Sequence, residues 1–171
     1  MARAFAGLAV VAGALAACAT TPTVTAIPTP TATTPVVTLA ELDAEPAEHR
    51  EESVAVAFDP DDASALLVEV PTDLDLASHA VVCVFLGARP SRGWSIELLT
   101  ATLSGDVLTI RAREGSPRGG TAGGTTYPAD CGLLTRGGLP AGELEVRAED
   151  TVTGEFIAAT VVEVPAASSA P

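Results

Sequence analysis

The sequence predicts an all-β fold, a small antiparallel β-sandwich or barrel-like domain, on three observations. Short runs rich in β-branched and aliphatic residues recur at close spacing, Gly, Pro and Asp clusters separate them, and no long stretch carries a helical period. The runs are Ser53–Phe58, Ala65–Val70, Ala80–Leu86, Trp94–Leu103, Val107–Arg113, Glu143–Glu149 and Phe156–Val164. Val81-Val82-Cys83-Val84-Phe85-Leu86 is apolar on both faces, which predicts the central strand. Glu143-Leu144-Glu145-Val146-Arg147-Ala148-Glu149 alternates strictly, its even positions facing a core and its charges facing solvent. Aromatic residues are few, so the expected core is Val, Leu, Ile and Ala around Phe58, Phe85, Trp94 and Phe156.

Two hairpins are implied by the pattern. Ile96 and Leu98 share parity with Leu108, Ile110 and Ala112. A three-residue loop, Ser104-Gly105-Asp106, pairs Leu98 with Ala112 and Glu97 with Arg113, which sets the apolar residues on one face and opposite charges on the other. The second hairpin joins the last two strands through Asp150-Thr151-Val152-Thr153-Gly154-Glu155.

The amino-terminal third reads differently. Met1-Ala2-Arg3 gives one positive charge, and Ala4 to Ala17 is free of charge, the pattern of a secretory signal over residues 1–17 and too short to span a membrane. Leu15-Ala16-Ala17-Cys18 resembles the lipobox of bacterial lipoproteins, in which small residues before the cut admit the peptidase and a thiol takes the diacylglycerol. The resemblance implies lipidation at Cys18 and an extracytoplasmic protein held to a bacterial membrane by its lipid, inner or outer undecided. Residues 18–52 read as a tether: Thr, Pro, Ala and Val without charge as far as Thr38, then an acidic stretch with a short helix expected around Leu39-Ala40-Glu41-Leu42. The β-domain is expected over 53–165, and 166–171 as a frayed tail.

Composition narrows the partners. The net charge is -13, all nine basic residues are Arg, and no basic cluster exists, which argues against nucleic acid and against adhesion to anionic lipid. Only His49 and His79 are present; no metal-ligand spacing, nucleophile elbow or phosphate loop appears, so no enzyme, metal or cofactor is expected. Asp59-Pro60-Asp61-Asp62 reads as a solvated, helix-capping turn rather than a weak calcium site. With Cys18 lipidated, Cys83 and Cys131 remain. In an oxidising compartment the pair favours a disulfide; the alternative is a buried apolar Cys83 with a free Cys131.

Two polar loops flank the first hairpin, and its register puts both at one end of the sheet. Arg89, Pro90, Arg92 and Trp94 lie in the first, Arg118 and Tyr127 in the second, and arginine and aromatic residues are enriched in binding hot spots. Trp94 shares parity with Ile96, so its own expected place is the core. The stretch over about residues 79–128 resembles the carboxy-terminal domain of the PrcB family. The motifs are Val81-Val82-Cys83-Val84-Phe85-Leu86-Gly87, Arg89-Pro90-x-x-Gly93-Trp94-Ser95-Ile96-Glu97, Leu108-Thr109-Ile110, Glu114-x-x-Pro117 and Thr125-Thr126-Tyr127-Pro128. The resemblance implies a non-catalytic accessory protein that binds a protein partner, an exported protease. The chain departs from the pattern at Trp94, where Tyr is usual, and in the added hairpin Glu143 to Val164. The same loops also resemble, more loosely, those of chagasin-like protease inhibitors; a structural or adhesive envelope module is the third reading.

Overall fold

Two sheets face each other in the structure, a computed structural model that describes residues 36–117 and 123–166. The first contains, in spatial order, β1 (Val36–Val37), β6 (Ser95–Ser104), β7 (Val107–Gly115), β10 (Gly142–Asp150) and β11 (Phe156–Val164). The second contains β2 (Leu39–Glu41), β9 (Ala129–Thr135), β4 (His79–Leu86) and β3 (Glu52–Ala57). A separate two-stranded ribbon pairs β5 (Arg89–Ser91) with β8 (Gly123–Thr126). The all-β sandwich is therefore as expected. Neighbouring strands are antiparallel except β7 and β10, which run parallel because the chain crosses to the second sheet as β9 before returning. No closed barrel forms: β3 and β11 approach at one side without pairing.

β4 is central, between β9 and β3, and buried on both faces. Ala80, Val82, Val84 and Leu86 enter the core between the sheets, beside Leu108, Ile110, Leu144 and Val146. Val81, Cys83 and Phe85 face an outer layer instead. Cys83 and Cys131 are direct partners on β4 and β9 and form a disulfide, with Cα atoms 4.1 Å apart. Leu144, Val146 and Ala148 of β10 are buried and alternate with its charges, as the pattern predicts.

The outer layer corrects three expectations. Ala65–Val70 is not a strand: α1 (Pro60–Leu66) occupies its start. Asp59 Oδ1 accepts the Asp62 N–H at 2.9 Å, Pro60 stands where its missing N–H costs nothing, and Asp61 and Asp62 suit the positive helix end. Ala63, Leu66 and Leu67 then pack on Val81, Cys83 and Phe85. Second, Leu39-Ala40-Glu41 is β2, paired with β9, not a helix. Third, the ordered domain starts by Val36, not Ser53. Val36–Val37 pairs with β6 and Leu39–Glu41 with β9, so the chain changes sheets within six residues. From there Ala47 donates to the Leu66 carbonyl, Val68 donates to the Glu45 carbonyl, and the His49 ring stacks on Phe85 with centroids 4.0 Å apart. The acidic stretch thus roofs the second sheet.

The β6–β7 hairpin reaches the expected pairing by another route. Leu98 faces Ala112 and Glu97 faces Arg113, with which it forms an ion pair. The turn, however, has two residues: Ser104 pairs with Val107, and Gly105 (φ 64°) precedes Asp106, which has no positive φ, the II′ arrangement. A bulge between Leu98 and Thr100 restores the register and lets Ile96 and Leu103 both point inward despite opposite parity. Phe58 and Phe85 are buried as expected; Phe156 and Trp94 are not core residues.

Candidate functional site

The two loops flanking the first hairpin do meet. β5 and β8 pair through Arg89 with Thr126 and Ser91 with Gly123, closing them into one ribbon at the carboxy-terminal end of β7. Gly87 makes the exit from β4 possible. Its φ is 67°, and a Cβ there would stand 2.9 Å from the Glu51 carbonyl carbon and the Glu52 nitrogen. Ala88 then donates to the Arg50 carbonyl, which ties the loop base to β3.

The sequence-derived residues fall into three groups. Arg89 is a clamp: its guanidinium reaches Glu52 at 2.9 Å and Glu114 at 3.5 Å, and it lies over the Trp94 ring at 5.5 Å. Its side chain is only 18% exposed, so it joins the second sheet's edge to the end of β7 more than it offers charge to a partner. Trp94 and Tyr127 are half-buried, Trp94 as the platform beneath Arg89. Pro90 and Arg92 are exposed, and no ion pair among the described residues involves Arg92. Arg118 and Cys18, where the sequence leads one to expect lipidation, lie outside the described residues.

A third element at this end comes from the β10–β11 hairpin. Asp150 is buried at the end of β10, and its carboxylate accepts the N–H groups of Val152 and Thr153 and the Thr153 hydroxyl. A longer bond, 3.4 Å from the Glu114 N–H, ties the turn to β7. Burial alone would push this carboxyl up, but the hydrogen bonds outweigh it and hold it below the ordinary carboxylate range. The turn so fixed exposes Val152 (72%), and Phe156, at the start of β11, is exposed beside it (62%). Between turn, ribbon and β3 lies an open cleft of about 420 Å³, lined in part by Glu52, Arg89, Glu114 and Phe156. Sequence reasoning assigned Phe156 to the core. Only the β10–β11 bulge between Ala148 and Glu149, invisible in composition, turns it outward.

No family model, no curated protein and no solved structure matches this chain. The likeness to the PrcB family rests on the motif residues themselves. In the fold they form the Leu86-Gly87 exit, the clamp at Arg89, and the Thr126-Tyr127-Pro128 return, where Leu86 donates to the Pro128 carbonyl.

Chemically this end of the sandwich combines the Arg89 ion pairs, exposed apolar side chains and an open cleft. His49 packs on Phe85 and His79 begins β4, so neither imidazole joins the cleft. Among the described residues no three His, Cys, Asp or Glu side chains converge as metal ligands would. No helix among them is long and apolar enough to cross a membrane, and the disulfide is compatible with an extracytoplasmic location.

Proposed function

We propose that this chain is an exported, lipid-anchored accessory protein whose ribbon end binds a protein partner, an exported protease being the partner that the PrcB-like motifs imply. One observation carries the reading. The β5–β8 ribbon and the Asp150 turn gather at one end of the sandwich, while the chain enters and leaves at the other. Val36 pairs with Thr102, near the Ser104–Val107 turn, and Val164 pairs with Gly142, which precedes Glu145 opposite Val107. Nine residues of β7 separate the two ends, about 30 Å of extended backbone. A domain held by its amino terminus from the far end leaves the ribbon free to dock. The lipobox-like Cys18 and the charge-free segment after it support the anchoring half of the reading.

The test is an affinity pull-down from membranes with the tagged, full-length lipoprotein. Capture of an exported protease, lost in a Pro90→Ala/Arg92→Glu variant that melts like the parent, is the expected result. Capture of envelope proteins alone would move the structural or adhesive module to first place. Clustering of three connections at one end also suits a loop-presenting inhibitor. That reading predicts direct inhibition of a cysteine protease by the purified protein, which an accessory subunit lacks.

A further inference from the structure

The cleft beside the ribbon has a chemistry of its own. Val152 and Phe156 are two of the most exposed large apolar residues described, and they flank one turn. Each is held there by the backbone: the Asp150 carboxylate fixes the turn that exposes Val152, and the β10–β11 bulge turns Phe156 outward. Four carboxylates, of Glu52, Glu114, Asp150 and Glu155, line the cleft against one guanidinium, that of Arg89. Arg89 is committed to Glu52 and Glu114. Glu155 is exposed and in no ion pair among the described residues. The cleft is therefore an anionic surface with an apolar rim.

Resting on the reading that this end binds a protein, we infer that the occupant is a segment of that partner in which a bulky apolar side chain stands next to arginine or lysine. The apolar group covers Phe156 and Val152, and the cation meets Glu155 and the Glu52 oxygen that Arg89 does not bond. Burying apolar surface supplies the affinity, and the complementary charge supplies specificity and faster encounter. An anionic lipid surface or a nucleic acid meets repulsion at the same place. A basic segment also complements the whole chain, whose net charge is -13.

The test is selection of a phage-displayed random peptide library on the full-length chain in detergent micelles. The expected peptides carry Arg or Lys beside Leu, Phe or Trp. Their binding falls at least about ten-fold in a Val152→Ser/Phe156→Ser variant and weakens as salt is raised. Both substitutions are at exposed positions, and the melting curve checks that the fold is intact. No selected peptide, uncharged or acidic peptides, or binding indifferent to the double variant would each overturn the inference. The membrane pull-down separates its failure from that of the broader reading. A partner still captured by Val152→Ser/Phe156→Ser but lost with Pro90→Ala/Arg92→Glu sinks the cleft and leaves the ribbon. A partner lost with both supports the cleft.

Discussion

Oδ2 of Asp130, on β9, accepts the backbone N–H of Leu98, on β6, at 2.7 Å. The bulge after Leu98 interrupts the ladder there, at an edge that β1 covers only at Ala101 and Thr102. The other oxygen, Oδ1, takes the Cys131 N–H at 2.9 Å, so one carboxylate ties the two sheets together. Replacing Asp130 by Ala leaves the Leu98 N–H unpaired and is expected to cost about 1–3 kcal/mol. Asp130→Asn keeps an acceptor and loses less. Urea midpoints at unchanged slope check this; an Ala variant with the parent midpoint would mean that the strut contributes nothing to stability.

The disulfide is the second strut. Cys83 and Cys131 are 48 residues apart and buried beneath α1, so the bridge shortens the unfolded chain without touching the ribbon end. On the chain-entropy account, loss of a bridge of that span costs about 4 kcal/mol. A Cys83→Ala/Cys131→Ala variant should unfold at markedly lower denaturant than the oxidised parent. It should still bind whatever the parent binds at temperatures where it is folded. Equal midpoints for the oxidised parent and the double variant would show that the unfolded chain is constrained by something else.

Several of these features are legible in the sequence and others are not, for physical reasons. The pairing of Glu97 with Arg113 follows from side-chain parity alone, because one face of β6 must be apolar. The bulge that produces it does not, since parity counts residues and not the extra one at Leu99. β4 announces itself by apolar residues on both faces. β9, its neighbour, does not: it is only partly buried, and Gly132 stands where a Cβ would come within 3.0 Å of the Ala40 carbonyl oxygen on β2. β1 and β2, of two and three residues, are too short to show a period, so the sheet switch at Thr38 hides in what reads as a tether. At the site, the meeting of the two loops follows from the hairpin. The inward commitment of Arg89 does not, because it depends on Glu52, 37 residues away.

Gly87 should tolerate no side chain. With φ at 67° and the Arg50–Glu52 backbone against it, Gly87→Ala combines left-handed strain of about 1–3 kcal/mol with a clash that must shift β3. Glu52 would move with that backbone, so the Arg89 clamp should loosen. The expected outcome is a lower melting temperature together with faster amide exchange in β5 and β8. A variant whose ribbon amides exchange at the parental rate would mean that Glu114 and Trp94 hold Arg89 without Glu52.

Acid should act on the Asp150 turn in a defined direction. Its carboxyl titrates below the ordinary value of 3.8 because the bonds from Val152, Thr153 and Glu114 favour the charged form over the opposing cost of burial. A group depressed in the folded state contributes stability that is complete above its unfolded value and is lost as pH falls through the folded one. Asp150→Asn gives up the charge at every pH. The stability gap between parent and variant should therefore be constant above about pH 5 and shrink as pH falls below about 3.8. Asp75, held down by the Ser78 and Ala77 hydrogen bonds, and Glu145, held down by Arg147, titrate in the same direction. Both are present in parent and variant alike, so the difference between the two curves isolates Asp150. Urea midpoints taken from about pH 2 to about pH 6 provide the measurement. A gap that stays constant down to the lowest pH would mean that the folded carboxyl titrates no lower than the unfolded one, so that the turn does not depend on its charge. Acid would then leave Val152 and Phe156 as they are.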